Sequence, residues 1–426
     1  MKPIRLLFAA TLLLLGLTAC DKEDRHLPVL EFETTELSID AAGDILTVGI
    51  LTDVAYEVVM PADAPWLKYA EGAQTKAQPT AATLLLEVEK NTTPAPRTAE
   101  VIVRATDLPL ADTLHISQSG ISANTDITAE FDPDFANCLQ DKGIIADAGR
   151  ITYADVAGIT ELDVRGTFDD WKEGKGLTSL KGIEYFTALA GLDCRINQLT
   201  ALDVSKNTAL TELNCNDNQL TAFDLSRNTA LKVLYCSRNQ LTDLDLSRNT
   251  ALKVLFCAYN HLTALDLSQN TALSTLFCPH NQLTDLDVSR NTALKNLSCH
   301  ENQLTAIDLS RNTALTSFTC YTNRLTAIDV SQNTALTTLS CFQNQFTALD
   351  LSRNTALEML FCYENQLTAL DLSKNTALTL LYCETNPGND GIFEITLRPG
   401  SELKAEKESW EYDGQTVAVK YLENGE

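Results

Sequence analysis

The stretch "LDLSRNTALK" at residues 244–253 returns in variant form beginning at Leu202, Phe223, Leu265, Leu286, Ile307, Ile328, Leu349 and Leu370, always 21 residues apart or a multiple of 21. So short a period leaves few architectures open. A single unit cannot bury an apolar face by itself, so successive units must wind into coils and stack. Side chains one period apart then become neighbours in a column, about 4.8 Å from coil to coil, which is the spacing of paired strands.

One full unit reads "LTELNCNDNQLTAFDLSRNTA", residues 210–230, and holds two similar halves. Leu213-x-Cys215-x-x-Asn218 is echoed by Phe223-x-Leu225-x-x-Asn228. Alternation turns the apolar residues of each half inward, and this predicts two short strands per coil, each closed by an asparagine turn. The asparagines fall into two columns, Asn197, Asn218, Asn239, Asn260 onward and Asn207, Asn228, Asn249 onward. Their amides are placed to satisfy backbone groups that a tight turn strands. The spacing Leu-x-x-Leu-x-Cys-x-x-Asn-x-Leu resembles that of the leucine-rich repeats, with cysteine in the third apolar slot. The resemblance runs from Leu192 to Asn386, nearly half the chain. It implies a solenoid whose cysteine-bearing strand presents the usual ligand surface. The units look like those of bacterial surface proteins such as the internalins, a family that chiefly binds proteins.

Ten of the 12 cysteines occupy one position of the unit, from Cys194 through Cys215 and Cys236 to Cys383. Three readings compete. A disulfide ladder suits an exported protein, but stacked strands hold β-carbons about 4.8 Å apart, beyond the usual disulfide range. A metal ladder needs three or four converging ligands, and each coil supplies one. Buried thiols acting as small apolar side chains fit the slot best, and Cys138, outside the column, reads the same way. An acidic column, Asp203, Asp224, Asp245, Asp266, Asp287, Asp308, Asp329, Asp350 and Asp371, reads as a solvated face rather than a calcium site. Calcium-binding β-rolls use glycine-rich repeats, and these units contain no glycine. A basic residue three positions on, such as Arg227 or Arg311, can offset the repulsion.

The letters that change between copies flank the cysteine. Just before it stand Tyr235, Phe256, Phe277, Phe361 and Tyr382; just after it stand His300, Tyr321, Phe342 and Tyr363. Both positions are expected to face outward. The rings form two clusters in this reading, one of Tyr235, Phe256, Phe277 and nearby Tyr259, the other of Tyr321, Phe342, Phe361, Tyr363 and Tyr382. His280, His300, Glu301 and Arg238 would supply polar specificity around them. Exposed aromatic patches mark interaction sites, and Tyr is a preferred anchor. Aromatic stacking that merely supports a sheet is the competing explanation.

Ahead of the repeats lie three further segments. "MKPIRLLFAATLLLLGLTAC" has Lys2 and Arg5, then an apolar run from Leu6 to Leu17 too short for a permanent membrane span. Leu17-Thr18-Ala19-Cys20 resembles the lipobox of bacterial lipoproteins, which implies acylation of Cys20. Asp21-Lys22-Glu23-Asp24 is similar to the surface-export signal of Bacteroidetes lipoproteins. From 27 to 120, short β-branched runs separated by Gly, Pro, Asp and Asn predict a β-sandwich. Trp66-Leu67, Asn91, Arg97 and "ISQSG" resemble the BACON domain, an immunoglobulin-like module that implies either a spacer or a carbohydrate binder. From 124 to 190, "PDFANCLQDKG" and "TYADVAGI" read as helices, the first capped by Asp132 with Pro133 at its first helical position. A solenoid needs such a cap over its first open coil.

Nothing points to catalysis. "HENQL" at His300 begins like a zinc-protease motif, but its fifth position is Leu304. There is no Gly-x-Ser-x-Gly, phosphate loop or Cys-x-x-Cys. The formal charge of −25 argues against nucleic acid. The expectation is a mainly β chain: signal peptide 1–20, tether 21–26, immunoglobulin-like β-sandwich 27–120, partly helical cap 124–190, solenoid 191–386 and C-terminal β cap 387–426. Its expected role is non-enzymatic recognition or adhesion, with no cofactor or metal. It would be anchored by lipid at the outer membrane and exposed at the cell surface. The expected partner is a host or neighbouring-cell protein; glycan capture and a purely structural coat are the alternatives.

Overall fold

A computed structural model of the chain describes residues 27–70, 80–399 and 416–422. The signal peptide with Cys20, the tether 21–26 and much of the C-terminal segment (400–415 and 423–426) lie outside the described residues. The chain divides into two compact units: residues up to Asn91 with Pro96–Ser119, and Thr92–Ala95 with everything from Gly120.

The first unit is two four-stranded sheets. One has the order β1 (Leu30–Phe32), β3 (Asp44–Thr52), β6 (Thr80–Val88), β5 (Leu67–Ala70). The other has the order β2 (Glu36–Ile39), β8 (Ala111–Gln118), β7 (Arg97–Ala105), β4 (Tyr56–Val59). Strand alternation explains the core: Ala99, Val101, Val103 and Ala105 of β7 turn inward and join Ile50, Leu84, Leu86, Leu114 and Ile116. The residues that suggested the module converge here. The Arg97 guanidinium lies 4.3 Å from the Trp66 ring centre and donates to the Glu89 carbonyl and to Gln118 Oε1, both at 2.6 Å.

In the second unit the helix α1 (Pro133–Asp141) begins where it was expected. Asp132 Oδ1 accepts from the amides of Asp134 and Phe135 at 3.0 and 3.2 Å. The helix buries Phe135, Ala136 and Leu139. Phe135 packs with Phe131 and Phe186, ring centres 5.8 and 6.2 Å away. The turn at 183–186 then does for the first coil what a coil does for its successor: Asn207 Nδ2 donates to the carbonyls of Ile183 and Phe186 at 2.8 and 3.0 Å.

The coils stack through one parallel sheet of 11 strands. These are β9 (Glu161–Asp163), β10 (Gly191–Asp193), β11 (Glu212–Asn214), β12 (Val233–Tyr235), β13 (Val254–Phe256), β14 (Thr275–Phe277), β15 (Asn296–Ser298), β16 (Ser317–Thr319), β17 (Thr338–Ser340), β18 (Met359–Phe361) and β20 (Leu380–Tyr382). Leu213 pairs with Leu234, Leu234 with Leu255, and so on one period at a time. Only the first coil is longer, since Leu162 pairs with Leu192. Leu210, Leu213, Cys215 and Leu220 of the reference unit are fully sealed from solvent.

The two asparagine columns do different work. Asn281 of the first accepts from the Leu262 amide at 3.0 Å and donates to the carbonyls of Cys257 and Cys278 at 3.0 and 3.2 Å. It therefore stitches two coils together through both ends of its amide. Asn291 of the second donates to the carbonyls of Leu267 and Asn270 at 3.1 and 2.9 Å, but its Oδ1 is buried without a partner. Eight equivalents from Asn207 to Asn375 share that orphan oxygen. An unpaired carbonyl costs less than an unpaired N–H, so the column tolerates it.

The second half of each unit departs from expectation. Among the coils it forms a strand only at β19 (Ala369–Asp371). In every coil, β19's included, the aspartate caps a turn that follows: Asp224 Oδ1 accepts from the Ser226 amide at 2.8 Å and Asp371 Oδ1 from the Ser373 amide at 2.9 Å, while the Asn228 amide turns back to the Leu225 carbonyl at 2.9 Å. What sets β19 apart is a neighbour, β21 (Ile392–Leu397), which pairs in turn with β22 (Thr416–Tyr421). Both pairings are parallel. The described C-terminal strands thus continue the second half of the last coil.

All ten repeat cysteines are free thiols buried in the interior. Burial pushes the Cys215, Cys278 and Cys341 thiols up to about 12. Reactivity tracks thiolate and exposure. Of the described cysteines, a disulfide reagent at mild alkaline pH should therefore reach only half-buried Cys138 readily, with the ladder reacting on unfolding. Rapid titration of ten thiols in the native protein would contradict the interior placement.

Candidate functional site

Three side-chain columns cover the face of the 11-stranded sheet that looks away from the leucines: the residue before each cysteine, the residue after it, and the next one. The first column lies on the strand itself. The third is a turn residue with positive φ in every coil, including Asp217 (54°), Arg238 (55°), Tyr259 (53°), His280 (51°) and Glu301 (51°). L-residues enter that region at a cost, and the neighbouring asparagine's bonds hold the turn there. Nothing in the unit's residue pattern announces it, because no glycine marks the place.

The rings form one continuous ladder rather than two clusters. Tyr235, Phe256 and Phe277 stack in the first column with centroids 5.2 and 5.1 Å apart. Phe277 then meets His300 edge-on at 5.9 Å. His300, Tyr321, Phe342 and Tyr363 continue in the second column at 4.1, 4.1 and 4.3 Å. Seven successive coils contribute one ring each. The crossing has a sequence signal that single-column reading overlooks. Over six coils, where the first column holds a ring the second is small (Ser237, Ala258, Pro279), and where the second holds a ring the first is small (Ser298, Thr319, Ser340); the next coil breaks the exchange, with rings at both Phe361 and Tyr363. Tyr259 and His280 make a side branch, centroids 3.9 Å apart, with the Arg238 guanidinium 4.4 Å over Tyr259. Phe361 and Tyr382 stack as a separate pair at 5.3 Å.

His300 is corrected by this arrangement. It was expected to offer an exposed polar contact, yet it is 8% exposed. Tyr321, Phe277 and His280 enclose its ring, and Ser298 Oγ lies 2.8 Å from Nδ1. Burial, reinforced by the charge of His280, pulls its pKa down to about 4, so the imidazole is neutral at pH 7. It serves as the ring that joins the two halves of the ladder. The other ladder rings are half-buried; Tyr259 and Tyr382 are exposed. At stacking separations near 4 Å each ring covers its neighbour's face, so the ladder presents ring edges. Charged groups border it: His280 Nδ1 lies 2.8 Å from Glu301 Oε2, and Arg238 lies 3.8 Å from Asp217.

On the second half of the units, the aspartate column is a row of side-chain-capped turns. The Ser amide and hydroxyl hold Asp224, Asp245, Asp266, Asp287, Asp308, Asp329 and Asp350 below the ordinary carboxylate range. A carboxylate whose folded pKa lies below its unfolded one stabilises the fold above the unfolded value, ~3.9 for Asp, and loses that contribution as pH falls through the folded value. Thermal scans should show a melting temperature that declines on acidification below about pH 4. Asp287→Asn and Asp308→Asn together should flatten that decline; an unchanged slope would remove the column from the explanation.

This construction can be compared with known proteins. The description Leucine Rich repeats (2 copies) matches residues 208–249 and 229–270. The functional domain of InlJ from Listeria monocytogenes, whose description includes a cysteine ladder, is 33% identical over 71% of this chain and 69% of that one, with a TM-score of 0.60. The chain belongs to the leucine-rich-repeat family. Other leucine-rich-repeat structures show weaker likeness. YopM from Yersinia enterocolitica is 19% identical, over 55% of this chain and 51% of that one, with a TM-score of 0.40. The leucine-rich repeat domain of APL1B is 18% identical, over 63% and 94%, with a TM-score of 0.43. No curated protein sequence matches the chain. The leucine-rich-repeat coils, their stacked thiols and their parallel register are thus a shared architecture, onto which this chain writes its own ring ladder.

Proposed function

We propose that this protein is a non-enzymatic recognition protein that docks a partner protein on the ring ladder of its leucine-rich-repeat sheet. The carrying observation is the continuous stack from Tyr235 to Tyr363, confined to the variable columns. A row of ring edges with flanking Arg238, Glu301 and Glu364 suits a protein surface, whose anchors and polar rim it complements. Sugar capture through stacking needs open ring faces, which the 4.1–4.3 Å separations in the second column close off. The protein reading is therefore preferred to a glycan.

In the same proposal the lipid at Cys20 holds the chain at the outer membrane, exposed at the cell surface, and the partner is a host or neighbouring-cell protein. The two-sheet unit acts as a BACON-like spacer. Radiolabelled palmitate should enter the protein and be lost in Cys20→Ser; labelling of that variant would refute the anchor. A pulldown from host-cell surface extracts and a glycan array, each with wild type, Phe256→Ala and Tyr363→Ala, tests the docking. Protein capture that both variants lose supports it. Capture indifferent to both, or ladder-dependent sugar binding instead, overturns it.

A further inference from the structure

We infer that His280, His300 and Glu301 form a binding site for a zinc-type divalent transition metal, set where the ring ladder crosses between columns. One ligand atom from each residue lies within 4.8 Å of the other two. Zinc bonds of about 2.0–2.2 Å in tetrahedral geometry place donors roughly 3.3–3.5 Å apart, so the trio needs only a small rearrangement, in which the His280–Glu301 pair opens slightly. His280 Nδ1 and Glu301 Oε2 are already 2.8 Å from one another. The two side chains are 27% and 36% exposed, and the Glu301 carboxylate can swing toward the imidazoles.

Two imidazoles and one carboxylate form the donor set of three-ligand zinc sites, which leave a fourth position for water or an outside ligand. Calcium and magnesium prefer all-oxygen shells, so they are disfavoured. The surroundings support the ligands in the way metal sites require. Ser298 Oγ, 2.8 Å from His300 Nδ1, can accept the Nδ1 proton and leave Nε2 as the donor. Tyr321 stacks on His300 at 4.1 Å and Tyr259 on His280 at 3.9 Å, fixing both ring planes. The three ligands come from two adjacent coils, so a bound ion would cross-link the turns. This inference rests on donor chemistry and holds whether or not the ladder docks a partner.

Equilibrium dialysis of the full-length protein against zinc, then against metal-free buffer, should leave one retained equivalent. His280→Gln and Glu301→Gln should each abolish it, and Ser298→Ala should weaken binding by about 10–100-fold. Cobalt should give a visible d–d spectrum without a near-ultraviolet thiolate band, and broaden the imidazole NMR signals of His280 and His300 but not of His115 or His261. No retained zinc in the wild type, equal retention in both Gln variants, or a thiolate–cobalt band from the cysteine ladder would each overturn the site.

Discussion

Asn281→Ala is expected to cost about 3 kcal/mol of stability, because it orphans the buried Leu262 N–H and removes the three hydrogen bonds that the amide donates. The wild-type amide accepts from Leu262 N–H and donates to the carbonyls of Cys257, Cys278 and Pro279. The carbonyls keep second donors in Asn260, Asn302 and the Tyr259 amide, whereas the buried Leu262 N–H has Asn281 alone. Asn291→Ala should cost less, about 1–2 kcal/mol, since its Oδ1 has no bond to lose and the Leu267 and Asn270 carbonyls keep the amides of Asn270 and Leu273. Asn281→Asp should be at least as damaging as the alanine variant, for it keeps the acceptor, deletes the donor and buries a charge. Urea denaturation supplies the ranking. Because stacked repeats couple mainly to nearest neighbours, hydrogen exchange at the Leu262 amide localises the effect. A loss below 1 kcal/mol for Asn281→Ala, or the reverse ranking, would show that the asparagine columns are not what binds coil to coil.

Tyr321→Ala should weaken partner binding by roughly 30-fold or more, the scale of an interface hot spot worth about 2 kcal/mol. Its ring is stacked against His300 on one side and Phe342 on the other, so truncation removes an anchor and disorders both neighbours. Phe342→Leu keeps apolar bulk but loses the ring edge, and should fall between Tyr321→Ala and wild type. Ser310→Ala, on the capped-turn side of the unit, should leave affinity unchanged. Surface plasmon resonance with the captured partner reads all three. Equal losses for Tyr321→Ala and Ser310→Ala would mean that general destabilisation, rather than the ladder, governs binding.

Much of this was legible because period converts to position. Once 21 residues make a coil, the buried thiol column, the asparagine columns and the outward strand face follow from alternation alone, and each is where it was expected. What escaped reading has identifiable causes. Phe223-x-Leu225 alternates as a strand does, but it lacks the paired neighbour that Ala369–Asp371 finds in Ile392–Leu397. His300 reads as an outward polar residue by position; only the rings packed around it seal it, and they belong to the two coils on either side, Phe277 and His280 to one and Tyr321 to the other. The exchange of ring and small residue between columns was present in the letters, yet it shows only when the two columns are read as pairs. In the first unit, strand pairing is non-local: β2 runs parallel to β8, some 80 residues away, and β5 carries too short a pattern to be noticed.

The central claim is that a partner sits on the ladder. The most direct measurement places a photo-crosslinking amino acid at Tyr321, at Phe342 and at Ser310 in turn, and asks which positions capture the partner covalently. The account predicts crosslinks from the two ladder positions and none from Ser310. Crosslinks from Ser310 alone, with the ladder positions silent, would contradict it.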